Sequence, residues 1–247
     1  MSASALTTGS LPVAGDSGKE CMAMNDLSAH ERNVAAVVRK AEESLGTILD
    51  ESGTILYSSC ATLKPGKYYF LGLNPGGTDA NTKTIRESLG NLGARTDCAY
   101  LDEDWGSDSR SYGPQCHPLQ KNFKGLFEAL GEDPRAVCAS NLIFSRSIGE
   151  KGAGGIERAK LCWPVHETIL EIVHPAAIIT FGRQPFNFII DKLSGTAPND
   201  FRAGHGKWTW RYSTLKTGEK LIGFPHLSRY ALTSHPDVLH QIRELIG

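Results

Sequence analysis

Four short apolar runs, separated by segments of helical spacing, limit what this chain can fold into. The runs are Tyr68 to Leu73, 136–144 (AVCASNLIF), 176–182 (AAIITFG) and 220–225 (KLIGFP). Near-continuous apolar strands of this length are buried on both faces, as in a parallel sheet. The segments between them predict the covering helices. The first, over 28–49, opens with Ser28 as cap and Glu31 three residues later, and the next, over 119–131, is stopped by a glycine. A loop followed by a helix is expected over 152–175, with Pro164 predicting a kink or a boundary in it, and further helices over 183–193 and from about His235 to Ile246. The 207–212 segment (KWTWRY) alternates and returns through a Lys-Thr-Gly turn into the last run, a hairpin signature. The expected fold class is therefore α/β: a three-layer α/β/α arrangement around a central, mostly parallel, twisted sheet.

With 247 residues, one large α/β domain is expected, spanning 28–247. Residues 1–27 are small and polar, without a basic start followed by an apolar core, and are expected to form a flexible leader rather than a secretory signal. Hydrophobic residues make up 40% and charged residues 21%, and no apolar run is long enough to span a bilayer, so a cytoplasmic, monomeric protein is expected. The six cysteines form no Cys-x-x-Cys pair, which argues against a zinc ribbon or a redox dithiol; no metal and no cofactor are expected. A net charge of −1 means that any contact with nucleic acid must come from a local basic face.

In parallel sheets, ligands bind beyond the carboxyl ends of the strands. That rule selects three loops. After the first strand comes Gly-Leu-Asn-Pro-Gly-Gly (72–77), where three glycines and a proline force a sharp turn and let a ligand approach the backbone. Asn74 is its one polar side chain. Asn141 to Ser147 lies on and after the second strand, and His226 follows the last. Each has a structural alternative: Asn74 as a turn residue, Asn141 as a partner of a neighbouring loop, and His226 as a satisfied structural histidine.

These three stretches resemble the uracil-DNA glycosylase superfamily. GLNPGG is similar to its first motif, in the Gly-x-Asn-Pro-Gly form of the mismatch-specific and single-strand-selective branches. FPHLSRY is similar to the Pro-His-Pro-Ser-Pro loop after the last strand, and SNLIF to the strand whose asparagine reads the base. The resemblance covers roughly 65–246 and implies a glycosylase-like fold and DNA as partner. It implies catalytic roles for Asn74 and His226, with Asn74 orienting a water and His226 donating a hydrogen bond to O2 of the departing base. Gly72, Leu73, Gly76, Gly77, His117 and Asn141 would contact the base. The Asn141 amide offers the acceptor and donor that N3–H and O4 of a uracil-like edge require. Ser228, Arg229 and Tyr230 would contact DNA, with Arg229 or Tyr230 entering the duplex or holding a phosphate.

The chain departs from the family pattern at several points. Leu227 and Arg229 replace both prolines of the last loop, and His117 stands where an aromatic ring ordinarily stacks on the base, with Tyr112 nearby. The iron-sulfur branch needs four cysteines; Cys162 is near one expected place, but the amino-terminal pair is missing, so no cluster is expected. The tyrosine that closes the uracil pocket in the strictly specific branch is replaced by Gly76. The excursion from Gly77 to Gly113 is either a lid or a variable insertion. It carries Lys83, Arg86, Arg95 and Arg110 together with five aspartates and two glutamates, and is not a simple basic arm. The activity implied is that of a monofunctional DNA glycosylase, which flips a uracil-like or modified pyrimidine and hydrolyses it from the sugar. The alternative is a catalytically poor member that binds single-stranded or modified DNA without releasing the base. A phosphate-binding α/β enzyme of another class lacks support, because the glycine turn has neither P-loop nor dinucleotide spacing.

Overall fold

The computed structural model describes residues 27–77, 83–106, 111–148 and 154–246. Apart from Leu27, the expected leader lies outside the described residues, as does Arg110. The strands are β1 (Tyr68–Gly72), β2 (Cys138–Asn141), β3 (Ala177–Phe181), β4 (Asn199–Arg202), β5 (Thr209–Thr214) and β6 (Lys220–Phe224). They form one sheet in the order β2-β1-β3-β6-β5-β4. The β2-β1, β1-β3 and β3-β6 pairs are parallel, and β6-β5 and β5-β4 are antiparallel. The helices are α1 (Ala29–Leu45), α2 (Ile85–Gly90), α3 (Ala99–Asp102), α4 (Pro118–Ala129), α5 (Gly155–Val173), α6 (Arg183–Lys192) and α7 (Pro236–Ile246). None of the described helices is long and apolar enough to cross a membrane.

All five residues of β1 are buried, and the two-residue period of the strand divides them between two cores. Tyr69 and Leu71 pack with α1, α5 and α6, whereas Tyr68 and Phe70 pack with α4 and α7. Helices thus cover both faces of the sheet, which fits the expected three-layer α/β/α architecture. The capping box of α1 forms as its spacing predicts: the Ser28 hydroxyl accepts from Glu31 N–H, and the Glu31 carboxylate accepts from Ser28 N–H. Pro164 does not set a boundary. Helix α5 passes through it, with Trp163 and Val165 on either side fully packed in the core. Burial of those neighbours offsets the roughly 3 kcal/mol that a proline costs inside a helix. Strand β4 (Asn-Asp-Phe-Arg) is a largely exposed edge with no apolar alternation to announce it.

Most of the described part of the excursion is woven into both cores. Ile85, Leu89 and Leu92 join one, and Cys98 to Leu101 join the other. Two of its cations are consumed internally: Arg86 pairs with Asp50 at 2.7 Å, and Arg95 with Glu103 at 3.3 Å.

One buried histidine makes stability depend on pH. His166 is fully enclosed; its Nε2–H donates to the Leu142 carbonyl at 3.1 Å, and its Nδ1 accepts from the Tyr69 hydroxyl at 2.8 Å. Burial pushes its pKa down to about 4. The unfolded chain, with an ordinary value near 6.5, binds a proton that the native state refuses. This stabilisation is complete above that ordinary value and is lost as pH falls toward 4. Between pH 7.5 and 5, urea unfolding should show a loss of about 2 kcal/mol in wild type that His166→Gln lacks.

Candidate active site

The parallel strands place the three selected loops at one edge. The chain enters the sheet at β1, moves outward to β2, then crosses to β3 on the other side of β1. Connecting helices α4 and α6 lie on opposite faces, so the carboxyl ends of β1 and β3 bound the crevice where strand order reverses.

Gly72 ends β1 in register with Asn141, which ends β2. A Cβ at Gly72 would fall on Asn141 Oδ1 and within 2.6 Å of the Phe181 ring that ends β3. This glycine is therefore required for space, not for its backbone angles. Among the three glycines of the turn only Gly77 has a positive φ, at 98°, while a Cβ at Gly76 would meet nothing within 4 Å. Leu73 extends the pairing beyond β1, its carbonyl accepting from Ile143 N–H at 2.8 Å.

The Asn74 amide is fixed by what surrounds it. Its Nδ2 lies 2.8 Å from the Pro75 carbonyl, 3.3 Å from the Ser147 carbonyl and 2.9 Å from the Ser147 hydroxyl. Carbonyls only accept, so the NH2 must face them, and Oδ1 is the atom these bonds leave unused. The two loops are joined further by Ser147 N–H donating to the Pro75 carbonyl at 3.0 Å. Asn141 presents the opposite situation. It is 3% exposed, and no hydrogen bond among the described residues uses its side-chain amide.

His226 has an exposed edge and sits edge-on to Phe181, with ring centroids 5.2 Å apart at 89°. Its Nδ1 accepts from Ser228 N–H at 3.3 Å and lies 2.8 Å from the Ser228 hydroxyl. A backbone amide can only donate, so the neutral ring carries its proton on Nε2. Desolvation of the ring, then the Arg229 charge and His117, lower its pKa and keep it neutral.

The missing prolines of the last loop are replaced by other restraints. Leu227 is buried and its carbonyl accepts from Asn122 Nδ2 of α4 at 2.8 Å. The Arg229 and Tyr230 amides both donate to the His226 carbonyl, at 2.9 and 3.2 Å. Tyr230, expected to contact DNA, is buried instead. It is 1% exposed, its hydroxyl donates to the Ala203 carbonyl at 2.6 Å, and its ring stacks on His235. Arg229 is exposed and Ser228 orients His226.

His117 is the amino-terminal cap of α4: its Nδ1 accepts from Leu119 N–H at 3.2 Å. Its ring lies edge-on to Trp105 and Tyr112, at 5.7 and 5.2 Å, and burial lowers its pKa. The cap and these ring contacts fix its orientation at the helix start. Phe181, which sequence reasoning treats only as strand, is the aromatic ring that touches both the Gly72–Asn141 pair and His226. Its place as the last residue of β3 was the available signal.

Among the described residues, no three His, Cys, Asp or Glu side chains gather as metal ligands would. Cys162 is buried in α5, where burial pushes its thiol up to about 12. No family model matches the chain, and no curated protein matches it by sequence.

Proposed function

We propose that the chain is a metal-independent DNA glycosylase of the uracil-DNA glycosylase type, acting on a flipped pyrimidine and leaving an abasic site. The observation that carries this reading is Asn141, an amide 3% exposed, unused by the described residues, at the carboxyl end of β2 next to the β1/β3 switch point. Its amide atoms are not among the buried side-chain atoms left without a partner, so they remain open to a ligand entering the crevice. A ligand edge that both donates and accepts matches that amide, and N3–H with O4 of a uracil-like base is such an edge. Asn74 and His226 stand after β1 and β6 with complementary atoms, an unused acceptor and an N–H donor.

The chemistry follows from those atoms. As the bond between C1′ of the sugar and N1 of the base breaks, its electron pair leaves with the base and builds negative charge on O2. His226 Nε2–H is the donor for that charge, and its fixed tautomer means that no reorganisation is needed. The sugar acquires oxocarbenium character. A water whose hydrogen is accepted by Asn74 Oδ1 adds to C1′, and its proton passes to solvent, because an amide orients a water but does not deprotonate it.

Purified protein incubated with single-stranded oligonucleotides carrying uracil or 5-substituted pyrimidines, in EDTA, should produce alkali-labile sites that accumulate with time. Because Gly76 leaves open space where a tyrosine would form a wall, 5-substituted bases should be accepted. Gly76→Tyr should lower kcat/KM for them relative to uracil by about tenfold or more. Unchanged selectivity in that variant would mean that another residue closes the pocket, with Tyr112 the first to test.

A further inference from the structure

The arginines of the chain differ in what neutralises them. Arg95, Arg135 and Arg158 each lie against a carboxylate, of Glu103, Asp102 and Glu51 respectively. Arg146, in the loop after β2, has no carboxylate partner among the described residues. Its backbone N–H donates to the Ser52 carbonyl at 2.7 Å, and its Nη1 donates to the Gly76 carbonyl in the catalytic turn. Its Nε is buried and has no hydrogen-bond partner among the described residues. A guanidinium offers two edges for an oxyanion, and the side-on edge is formed by Nε–H with the outer amino group. Since Nη1 is held by a neutral acceptor, the side chain is fixed, and among the described residues no carboxylate offsets its charge and nothing saturates its side-on edge.

The position of that charge gives it a ligand. Ser147, the next residue, holds the Asn74 amide, and Gly77 lies near the guanidinium, where a Cβ would come within 3.3 Å of Nη1. Across the crevice, after β6, stands exposed Arg229. In the order β2-β1-β3-β6 the two cations therefore flank the β1/β3 switch point. We infer that Arg146 grips a phosphodiester next to the flipped nucleotide, on the β2 side of the crevice and away from Arg229. This inference rests on the glycosylase reading for its ligand, a nucleic-acid strand, but not on turnover.

Binding in the Asn74→Ala background tests it without base release. The probe is a single-stranded oligonucleotide with one deoxyuridine, titrated by fluorescence anisotropy over a range of KCl. Arg146→Gln should reduce the slope of log K against log salt by about 0.7, the value of one phosphate contact on a single strand. A neutral methylphosphonate at one linkage flanking the deoxyuridine should cause the same loss in the parent and none in Arg146→Gln. Arg146→Lys should restore the slope but only part of the affinity, because it keeps the charge and loses the fork. Equal melting temperatures show that the variants are folded. Losses that simply add, or an unchanged slope, would overturn the inference. Failure of the glycosylase reading looks different: wild type would bind the probe and release no base, while the phosphate coupling persisted. No binding at all would remove both.

Discussion

Asn74→Ala should lower the single-turnover rate of base release by about 10²-fold or more, with little change in affinity for the same oligonucleotide. The reason lies in when the interaction forms. A water oriented by Oδ1 contributes mainly as the sugar becomes electrophilic, so its loss affects the barrier and not the ground state. Removal of the amide also removes the contact between Nδ2 and the Ser147 hydroxyl at 2.9 Å. Charge alone would favour Asn74→Asp, since a carboxylate stabilises an oxocarbenium ion. The surroundings oppose it: an oxygen in place of Nδ2 would face the Pro75 and Ser147 carbonyls at 2.8 and 3.3 Å. The aspartate should fall between wild type and alanine, and near-wild-type turnover in the alanine variant would remove Asn74 from the mechanism.

His226→Ala should cost about 2–4 kcal/mol of barrier, or roughly 30-fold to 10³-fold in rate, the range for losing one donor to a developing oxyanion. Folding should change little, because Leu227 and Tyr230 anchor the loop independently, through Asn122 and Ala203. The pH profile carries a second signature. The His226 pKa is lowered by ring desolvation and then by Arg229 and His117, so the rate should not break near the ordinary histidine value of about 6.5. Arg229→Gln should move the His226 titration upward, measurable by NMR of the ring. A full rate in His226→Ala would pass the donor role to His117, whose ring is close enough for its charge to act on His226.

The framework was legible because burial on both faces leaves a direct mark in sequence. Runs such as 68–73 and 176–182 have no polar alternation, and an amphipathic helix lies between each and the next strand. The turn after β1 was legible because its glycines and proline leave no regular structure open to it. Strand β4 was not, since a four-residue polar edge has no core to imprint a pattern on it. Pro164 misleads for the opposite reason, as packing on both sides of it overrides local preference.

Within the site, legibility divides along the same line. Asn74, Asn141 and His226 stand out as polar residues at the ends of apolar strands. Phe181 is hidden because an aromatic residue ending an apolar strand reads as core, which it also is, stacked on Phe70 at 5.2 Å. Asn122 lies among the buried positions of an amphipathic helix, and only tertiary structure shows its amide bonded to Leu227. Tyr230 stands in an exposed-looking loop, and the sequence does not reveal that its ring turns inward to His235. Arg146 looks like any loop cation until tertiary structure shows that no carboxylate among the described residues pairs with it, unlike Arg135 and Arg158.

The central claim is that Asn74, Asn141 and His226 act together on one pyrimidine. Mass spectrometry of a single-turnover reaction with a deoxyuridine or 5-substituted oligonucleotide measures it most directly. The account predicts free base and an abasic strand appearing together in equal amounts, with both products suppressed in Asn74→Ala and His226→Ala. Tight binding of the same oligonucleotides, with every strand recovered at its original mass, would contradict it and leave a protein that holds the base without releasing it.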